Sequence, residues 1–303
     1  ISYHNKKKLS KEGIEMNIRH LKIFITVADC GKMSTAAEKL FISQPSVSQA
    51  IREIEDYYGI RLFERLSKKL YITKNGEMLL KYARHIVESF DEMEMELKNT
   101  GQNICLRVGA TVTVGTCILN PIIKKFENNE SNISSKIVIN NTNVIENMIL
   151  KSELDVGIVE GVITNKDIVK IPIYRDKLVL VSGKCHKFYK ANSIKLQDLQ
   201  GEDMIMREVG SGSRELFDSV IHRENIEINE KWNSTNTDSI KNAVMEGQGL
   251  GVLSTLMIQE EIKNGKLHMI EIEDVDISRD ICVVYHKNKF ISDYLKNFIE
   301  DSI

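Results

Sequence analysis

The chain has 303 residues, of which 42% are hydrophobic and 28% are charged, and this is enough for two or three domains with cores of their own. Its formal net charge of −2 excludes a protein whose whole surface adheres to nucleic acid. No apolar run reaches membrane-spanning length, and no signal peptide is visible. The five dispersed cysteines lack metal-ligand spacing and are typical of a reduced cytoplasm, where we expect the protein to act.

Residues 1–16 are polar and lysine-rich, and we expect them to be a leader that is not part of the native fold. Charge is unevenly distributed over the rest of the chain. Residues 17–75 carry ten Lys or Arg against six Asp or Glu, a balance of +4, whereas residues 76–103 have a balance of −3 and residues 104–303 one of −5. A basic head on an acidic body suits local contact with phosphate groups.

A first helix is predicted over residues 17–31, and two further helices follow it. One covers residues 34–40, with Ser34 as a natural N-cap. The other begins after Ser43, which can cap it, and ends at Gly59, a C-terminal stop signal. Two helices joined by such a tight connection are typical of a helix-turn-helix.

The helix after Ser43 has two different faces. Apolar side chains recur on one face at helical spacing, and short hydroxyls, an amide and a guanidinium lie on the other. The residues of this polar face are Ser46, Ser48, Gln49 and Arg52. Such groups near a helix N-terminus suit base edges in a major groove. The alternative is an ordinary amphipathic helix with a solvated polar face.

Residues 60–73 alternate enough to predict a short β-wing that carries Arg65, Lys68 and Lys69. Cations on a wing would contact backbone phosphates beside the groove. A solvated basic turn is the alternative interpretation of the same residues.

A long helix can start at Thr73 or Asn75. Its apolar residues follow at steps of four and three, which is the heptad spacing of helices that pair with one another. They are Leu79, Ala83, Ile86, Phe90, Met93 and Leu97. We interpret the stretch as a dimerising linker helix that ends in a hinge at residues 99–103; an amphipathic helix packed on its own domain is the alternative.

From Ile104 onward strands alternate with helices, which predicts parallel α/β sheets. Three polar segments follow strands and precede helices, where ligands bind in such sheets. They are residues 110–115, 207–214 and 235–238. Their hydroxyls, glycines and amides suit an anion, either a carboxylate metabolite or an inorganic oxyanion, to which Arg207 or Arg214 could add charge. Ordinary N-caps and loops are the alternative.

No catalytic constellation stands out in the sequence. P-loop, dinucleotide, nucleophile-elbow and zinc-pair motifs are all missing from it. We therefore expect no enzymatic activity, no catalytic residues, no metal and no cofactor.

Residues 34–65 closely resemble the N-terminal DNA-binding domain of LysR-type transcriptional regulators, and the resemblance weakens toward the C-terminus. It is carried by Phe24, Ala28, Ser34, Ala36, Ala37, Leu40, Ser43, Gln44, Pro45, Ser48, Ile51, Leu62, Phe63 and Arg65. The resemblance implies an all-α winged helix-turn-helix with a long linker helix, followed by an α/β effector domain. That domain would consist of two Rossmann-like subdomains, similar to periplasmic solute-binding proteins, with a ligand cleft between them.

The resemblance and the patterns together divide the chain into a leader at residues 1–16, a DNA-binding domain at 17–75, a linker helix and hinge at 76–103, and a regulatory domain at 104–303. Within the regulatory domain, subdomain I covers about 104–175 and 277–303, and subdomain II covers about 176–276. The expected DNA-binding residues are Ser34, Gln44, Pro45, Ser46, Ser48, Gln49, Arg52, Arg65, Lys68 and Lys69. The resemblance places effector-binding residues at Thr111, Thr113, Gly210, Ser211, Ser213 and Thr237.

The predicted function is that of a cytoplasmic transcriptional regulator, as a homodimer or homotetramer on an interrupted inverted repeat in promoter DNA. A small anionic effector would control it, and RNA polymerase is a candidate partner. Two other classes of protein stay open at this point. A solute-binding sensor with a vestigial head would bind ligand but no specific DNA sequence, and a metabolic enzyme on the α/β half would need turnover.

Overall fold

The computed structural model describes residues 16–66, 69–98, 104–130 and 132–303. The chain divides into two compact units, Ile1–Thr100 and Gly101–Ile303, which we call the head and the α/β unit. The predicted leader, apart from Met16, and the predicted hinge at residues 99–103 lie outside the described residues.

The head contains the predicted helix-turn-helix, wing and long helix. Its elements are α1 (Ile18–Cys30), α2 (Met33–Leu40), α3 (Gln44–Tyr58), β1 (Phe63–Leu66), β2 (Lys69–Ile72) and α4 (Lys74–Lys98). The β-wing is an antiparallel pair with Phe63 opposite Ile72. Local signals set the helix ends: Asn17 caps α1, Ser43 caps α3, and Gly59 ends α3 in the left-handed conformation.

One predicted cap is wrong. The N-cap of α2 is Lys32, with no side-chain cap bond, and Ser34 lies inside the helix. The N-cap lies two residues before Ser34, because tertiary packing can override a local preference. At its other end, Phe41 has a φ of 54° and is 95% exposed.

The first half of α4 packs on its own domain. Ala83 is fully buried in the head core, and Leu79 packs against the same core. Ion pairs join Arg84 to Asp29 and Lys22 to Asp91 between α1 and α4. A local core therefore exists for this part of the helix, as the alternative interpretation of the stretch expected. Farther along α4, Leu97 is 77% exposed.

The α/β unit alternates helices and strands in the order β3 (Ile104–Ala110), α5 (Val112–Cys117), α6 (Leu119–Asn129), β4 (Ile133–Ile139), α7 (Thr142–Leu150), β5 (Val156–Glu160), β6 (Ile168–Gly183), β7 (Ser193–Ile194), β8 (Asp203–Arg207), α8 (Gly212–Arg223), β9 (Asn229–Ser234), α9 (Thr237–Met245), β10 (Leu250–Ser254), α10 (Gln259–Lys263), β11 (Leu267–Ile272), β12 (Ser278–His286) and α11 (Asp293–Ser302). The short helix α5 occupies part of the polar segment at residues 110–115 that was predicted between a strand and a helix.

Among the described residues, these strands form one sheet in the order β4-β3-β5-β12-β6-β10-β8-β9, with β11 beside β6 and β7 beside β11. β3 is parallel to β4 and β5, and β8 is parallel to β9 and β10. However, β6 and β12 are antiparallel to each other, so the sheet is mixed rather than wholly parallel as predicted. The reason is topological: the chain passes between the two halves twice, in opposite directions.

Each half of the α/β unit has its own core. One apolar cluster joins β3, β5, β12, α6 and α11, and includes Phe126 and Phe298 packed edge to face. Another joins the second half of β6 to β8, α8 and β10, around Phe217. Two subdomains on a shared pair of crossing strands are the result, and the ends of β3, β5 and β8 meet between them.

Candidate nucleic-acid interface and ligand cleft

The polar face of α3 is open to solvent. Val47, Ala50, Ile51 and Ile54 are buried in the head core. On the opposite side we define the recognition face as the exposed residues Gln44, Pro45, Ser46, Gln49 and Arg52; Ser48 beside them is half-buried. The helix thus presents an amide, a hydroxyl and a guanidinium from its first three turns, as a major-groove reader requires.

The side chains of the recognition face differ in their partners. Arg52 makes no hydrogen bond or ion pair with the described residues, so its guanidinium is available to a ligand. Gln49 Nε2 donates to Glu53 Oε1 at 2.9 Å, and Glu53 also faces His20 at 3.0 Å. Gln49 must therefore exchange this bond before it can contact a base. The Ser46 backbone N–H donates to the Ser43 hydroxyl at 3.3 Å.

The buried carboxylate of Glu55 ties the end of α3 to the wing. It accepts hydrogen bonds from the backbone N–H groups of Leu62 at 2.7 Å and Phe63 at 3.3 Å, and from Arg61. A recess of about 590 Å³ lies between α3 and the wing, lined in part by Ser48, Arg52 and Arg61. Wing and recognition helix are consequently held as one surface.

The remaining predicted DNA contacts are only partly located. Ser34 is exposed on α2. Arg65 and Lys69 belong to the wing strands, but their side chains, like all of Lys68, lie outside the described residues. The phosphate contact assigned to these three cations stays a prediction.

All six residues predicted to bind an effector are buried in the α/β unit, at the ends of strands and the starts of helices. They are Thr111, at the N-cap position of α5 without a side-chain cap bond; Thr113 inside α5; Gly210 and Ser211 before α8; Ser213 in its first turn; and Thr237, which begins α9. Gly210 has a φ of 89°, a conformation that favours glycine.

Arg279 lies at the centre of this region and holds both subdomains. It stands on β12 directly opposite Asp176 on β6. Its Nε donates to Asp176 Oδ2 at 2.8 Å, and its Nη1 donates to the Ser213 hydroxyl at 2.8 Å. Its Nη2 lies 3.4 Å from the Thr113 hydroxyl oxygen. Thr113 belongs to one subdomain and Ser213 to the other, so one side chain bridges the cleft.

A second carboxyl group, that of Glu160, faces the same arginine at 3.7 Å. Burial raises the pKa of Glu160, although the nearby Arg279 charge and a hydrogen bond from Thr113 act in the opposite direction. We define the cleft cluster as Thr113, Glu160, Asp176, Ser213 and Arg279. With two carboxyl groups and one guanidinium, this cluster has no net positive charge.

The two arginines that the sequence suggested are paired with the chain's own acids. Arg207 Nε donates to Glu208 at 2.9 Å. Arg214 binds Asp218 at 3.1 Å and Glu230 at 2.5 Å, and these hydrogen bonds raise the pKa of Arg214. Sequence analysis missed Arg279, Asp176 and Glu160. Only Glu160 had a local signal, as a charged residue that ends an otherwise apolar strand.

The third predicted segment borders an open recess of about 420 Å³. Its lining is Val112, Thr116, Thr235, Asn236, Thr237, Asp238, Lys241 and Met257. The Asn236 side chain is occupied as the cap of α9, because it accepts from the backbone N–H groups of Asp238 and Ser239. Trp232 lies on the edge strand β9 and is 44% exposed.

Close contacts hold the subdomains together at both sides of the cluster. A Cβ added to Gly212 would lie 2.6 Å from the Glu160 carbonyl oxygen and 2.9 Å from Gly161 Cα. The backbone N–H of Asn143 donates to the Gly210 carbonyl at 3.3 Å. On the other side, the Cys117 thiol lies 3.5 Å from the Leu256 carbonyl. The cleft is thus closed around its charges.

Neither a metal centre nor a membrane span is found within the described residues. No group of three or more His, Cys, Asp or Glu in that part of the chain could hold a metal ion. No helix in that part is long and apolar enough to cross a membrane.

The head and the α/β unit together define a class: a winged helix-turn-helix DNA-binding unit joined to a two-subdomain ligand-binding unit. Two sequence profiles agree with this. The profile described as "Bacterial regulatory helix-turn-helix protein, lysR family" matches residues 18–77, and the "LysR substrate binding domain" profile matches residues 102–301. The chain therefore belongs to the LysR family, and it is a DNA-binding transcriptional regulator of that type.

Relatives and solved structures are consistent with the family. The HTH-type transcriptional regulator YeiE of Escherichia coli K12 is 25% identical over 287 residues, which cover 95% of this chain and 97% of that protein. The structure of a full-length OxyR variant from Pseudomonas aeruginosa has a TM-score of 0.70 at 19% identity. The match covers 96% of this chain and 95% of the OxyR chain. The regulatory domain of Synechocystis CcmR in complex with 2-PG has a TM-score of 0.61 at 23% identity. The match covers 65% of this chain and 95% of the CcmR domain.

Proposed function

We propose that the chain acts as a dimer or tetramer on an interrupted inverted repeat in promoter DNA, and that a small anionic effector bound between its two subdomains controls it. The observation that carries the DNA-binding part is the recognition face of α3. Its polar side chains are exposed while the opposite face fills the head core. The wing, held to α3 by Glu55, would add phosphate contacts beside the groove.

Pairing of two copies through α4 is supported by an apolar stripe on that helix. Tyr82, Ile86, Met93 and Leu97 follow at steps of four, seven and four, and each is exposed. Two paired heads would present two recognition helices to successive faces of one DNA site, as two-fold symmetry requires. Contact with RNA polymerase is a further part of the proposal.

The effector part of the proposal rests on the placement of polar groups between the subdomains. Thr111, Ser211 and Ser213 are buried where helices begin, and Arg279 bridges the halves. CcmR, whose regulatory domain has this fold, was solved in complex with 2-PG. An anion that replaced the internal partners of Arg279 would bind one subdomain arrangement better than another, and so shift the equilibrium between them. The proposed regulator has no enzymatic turnover and no resident cofactor.

The recognition face is tested by Arg52→Ala and Gln49→Ala in a mobility-shift assay at fixed salt. Each lost base contact should weaken specific binding by about 1–3 kcal/mol, with a smaller loss for nonspecific DNA. Arg19→Ala, on the exposed part of α1, is the control for charge alone. Wild-type affinity in both variants would contradict the assignment of α3 as the reading helix.

The pairing surface is tested by Met93→Glu with Leu97→Glu, examined by sedimentation velocity. A charge pair in the stripe should convert the assembly to smaller species, because desolvating charges in an apolar seam is unfavourable. An unchanged sedimentation coefficient, or a monomeric wild type, would contradict pairing through α4. The effector is sought by thermal shift against a panel of small anions, since a ligand of the native state stabilises it by mass action.

A further inference from the structure

Two buried side-chain oxygens at one edge of the sheet have no hydrogen-bond partner among the described residues. They are Oε2 of Glu160, a residue 3% exposed at the end of β5, and Oγ1 of Thr111, a residue 1% exposed just after β3. β3 and β5 are parallel neighbours, with Ala110 opposite Ile158. Both oxygens therefore belong to the same carboxyl-end edge, where α/β sheets bind ligands. A buried polar atom without a partner is unfavourable, so a ligand that supplies one gains affinity.

The arginine beside Glu160 does not satisfy this oxygen. Arg279 directs its donors to Asp176, Ser213 and Thr113. Asp176 balances its charge and also accepts a hydrogen bond from Ser254 at 2.7 Å. The contact from Arg279 to Glu160 is longer, at 3.7 Å, and reaches the other carboxyl oxygen, Oε1. The Thr113 hydroxyl also bonds this carboxyl group, and Oε2 is the oxygen left without a partner among the described residues.

Backbone N–H groups at the start of α8 lie near the backbone of Glu160. The first turn of α8, a helix of 12 residues, approaches Glu160 so closely that a Cβ on Gly212 would lie 2.6 Å from its carbonyl oxygen. Backbone N–H groups in a first helical turn have no acceptor within the helix and favour negative charge. The Ser211 side chain makes no cap bond to them. Uncapped backbone N–H groups of α8 thus lie beside the backbone of the residue that carries the unpaired oxygen.

We propose that Glu160 is a specificity-determining residue of the cleft: its free oxygen accepts a hydrogen bond from the effector, which carries an acidic or hydroxyl hydrogen beside its anionic group. The proposal rests on the proposed function, in which the cleft binds a small anion. An ionised carboxylate can only accept hydrogen bonds. A fully deprotonated anion would place its own acceptor against Oε2, whereas a hydroxy acid or a hydrogen-bearing oxyanion would form a bond there.

The same contact links binding to protons. Charged and polar groups face Glu160 from three elements, namely Arg279 on β12, Arg207 on β8 and Thr113 on α5, and burial raises the pKa of its carboxyl group. When Glu160 itself carries a proton, it can donate to a fully ionised anion, but that complex then requires proton uptake. Its affinity should fall as the pH rises. A hydrogen-bearing anion brings its own hydrogen and should show a weaker pH dependence.

The test compares two tetrahedral dianions, sulfate and hydrogen phosphate, by calorimetric titration of the full chain between pH 6 and pH 8. Phosphate keeps at least one hydrogen over this range and is mainly the hydrogen-phosphate dianion at pH 8, whereas sulfate has no hydrogen. At pH 8 the wild type should bind hydrogen phosphate at least about 100-fold more tightly. Above the pKa of Glu160, sulfate affinity should fall by up to about tenfold per pH unit.

The variant Glu160→Gln should bring the two affinities within about threefold of each other, because an amide offers both a donor and an acceptor. Glu153→Gln, which removes an exposed charge before the start of β5, is the matched control and should keep the wild-type ratio.

Wild-type binding of both anions with equal affinity at pH 8, or preference for sulfate, would overturn the role of Glu160 and leave the cleft as an anion site. So would a Glu160→Gln variant with the wild-type ratio. If neither these dianions nor the paired probes lactate and pyruvate bind the wild type, the anionic effector itself is wrong, and the proposal for Glu160 falls with it. The wild-type measurements need no variant, so the test stands even if Glu160→Gln fails to fold.

Discussion

The recognition face of α3 and the cleft cluster are both polar. The side chains of the recognition face are exposed to solvent, whereas those of the cleft cluster are buried and bonded to one another. On the recognition face, Ser46, Gln49 and Arg52 are exposed, and Arg52 has no partner among the described residues. In the cleft cluster, Arg279 is buried and joined to Asp176, Ser213 and Thr113. A rigid, solvated surface is ready to meet a large ligand such as DNA. A closed cleft must exchange internal partners for those of its ligand, and this exchange is what couples binding to a change of shape.

The largest expected effect comes from breaking the centre of the cleft. Arg279→Met should destabilise the α/β unit by about 3–5 kcal/mol, because it leaves Asp176 buried without its counter-charge. Denaturant unfolding followed by the fluorescence of Trp232, the one tryptophan of the sequence, measures this. Arg175→Met on the exposed side of β6 is the control and should cost at most about 1 kcal/mol. Equal losses in both variants would mean that the cluster does not hold the cleft.

Closure of the cleft is tested by Gly212→Ala. The new methyl group would meet the Glu160 carbonyl and Gly161 Cα at under 3 Å, so we expect a loss of about 1–3 kcal/mol and faster amide hydrogen exchange at residues 210–213. Gly201→Ala, at a φ of 74° with no atoms close to the added group, strains the backbone without touching the cleft. If both variants leave exchange at residues 210–213 unchanged, the glycine contact does not maintain closure.

Glu160 gives the cleft a pH dependence. The pKa of Glu160 is raised in the folded protein, so folding favours the protonated carboxyl group. The folded protein therefore loses stability as the pH rises from the ordinary pKa of glutamate toward the raised pKa. Glu160→Gln should therefore gain stability over the wild type by up to about 1.4 kcal/mol per pH unit in that window. Denaturant midpoints at several pH values measure the difference. A difference that is constant with pH would contradict an ionising Glu160.

The smallest effect concerns the head, whose recognition helix depends on a local cap. Ser43→Ala should cost α3 about 1 kcal/mol, seen as roughly fivefold faster hydrogen exchange of its amides. Ser34→Ala is the matched control, since Ser34 lies inside α2 and caps nothing. A larger effect at Ser34 than at Ser43 would reverse the assignment of the caps.

Sequence analysis was most accurate where the signal and the structure are close together along the chain. Ser43 and Gly59 bound α3 as predicted, and Val47, Ala50, Ile51 and Ile54 form its buried face. It failed where packing competed with a local preference. Lys32 precedes α2 instead of the expected serine, and Ala83 joins a core that the heptad pattern assigned to a partner helix.

The ligand segments were located by topology, but their chemistry was only half visible. The strand-to-helix positions of Thr111, Thr113 and Ser213 follow from the alternating pattern, and the structure buries all three between the subdomains. Arg207 and Arg214 attracted attention as charges beside a glycine-rich turn, yet both are paired with nearby acids. The arginine that bridges the cleft was Arg279, which no local motif marks.

By itself, the sequence determined the helix-turn-helix, the ends of α3, its apolar face and the family, because each depends on residues a few positions apart or on a linear pattern. Only the tertiary structure decided which charges meet. Arg279 lies 103 positions from Asp176, 66 from Ser213 and 166 from Thr113, and their contact exists only because two crossing strands bring distant parts of the chain together. The free oxygen of Glu160 has the same origin, since it depends on which neighbour has already taken each donor of the arginine.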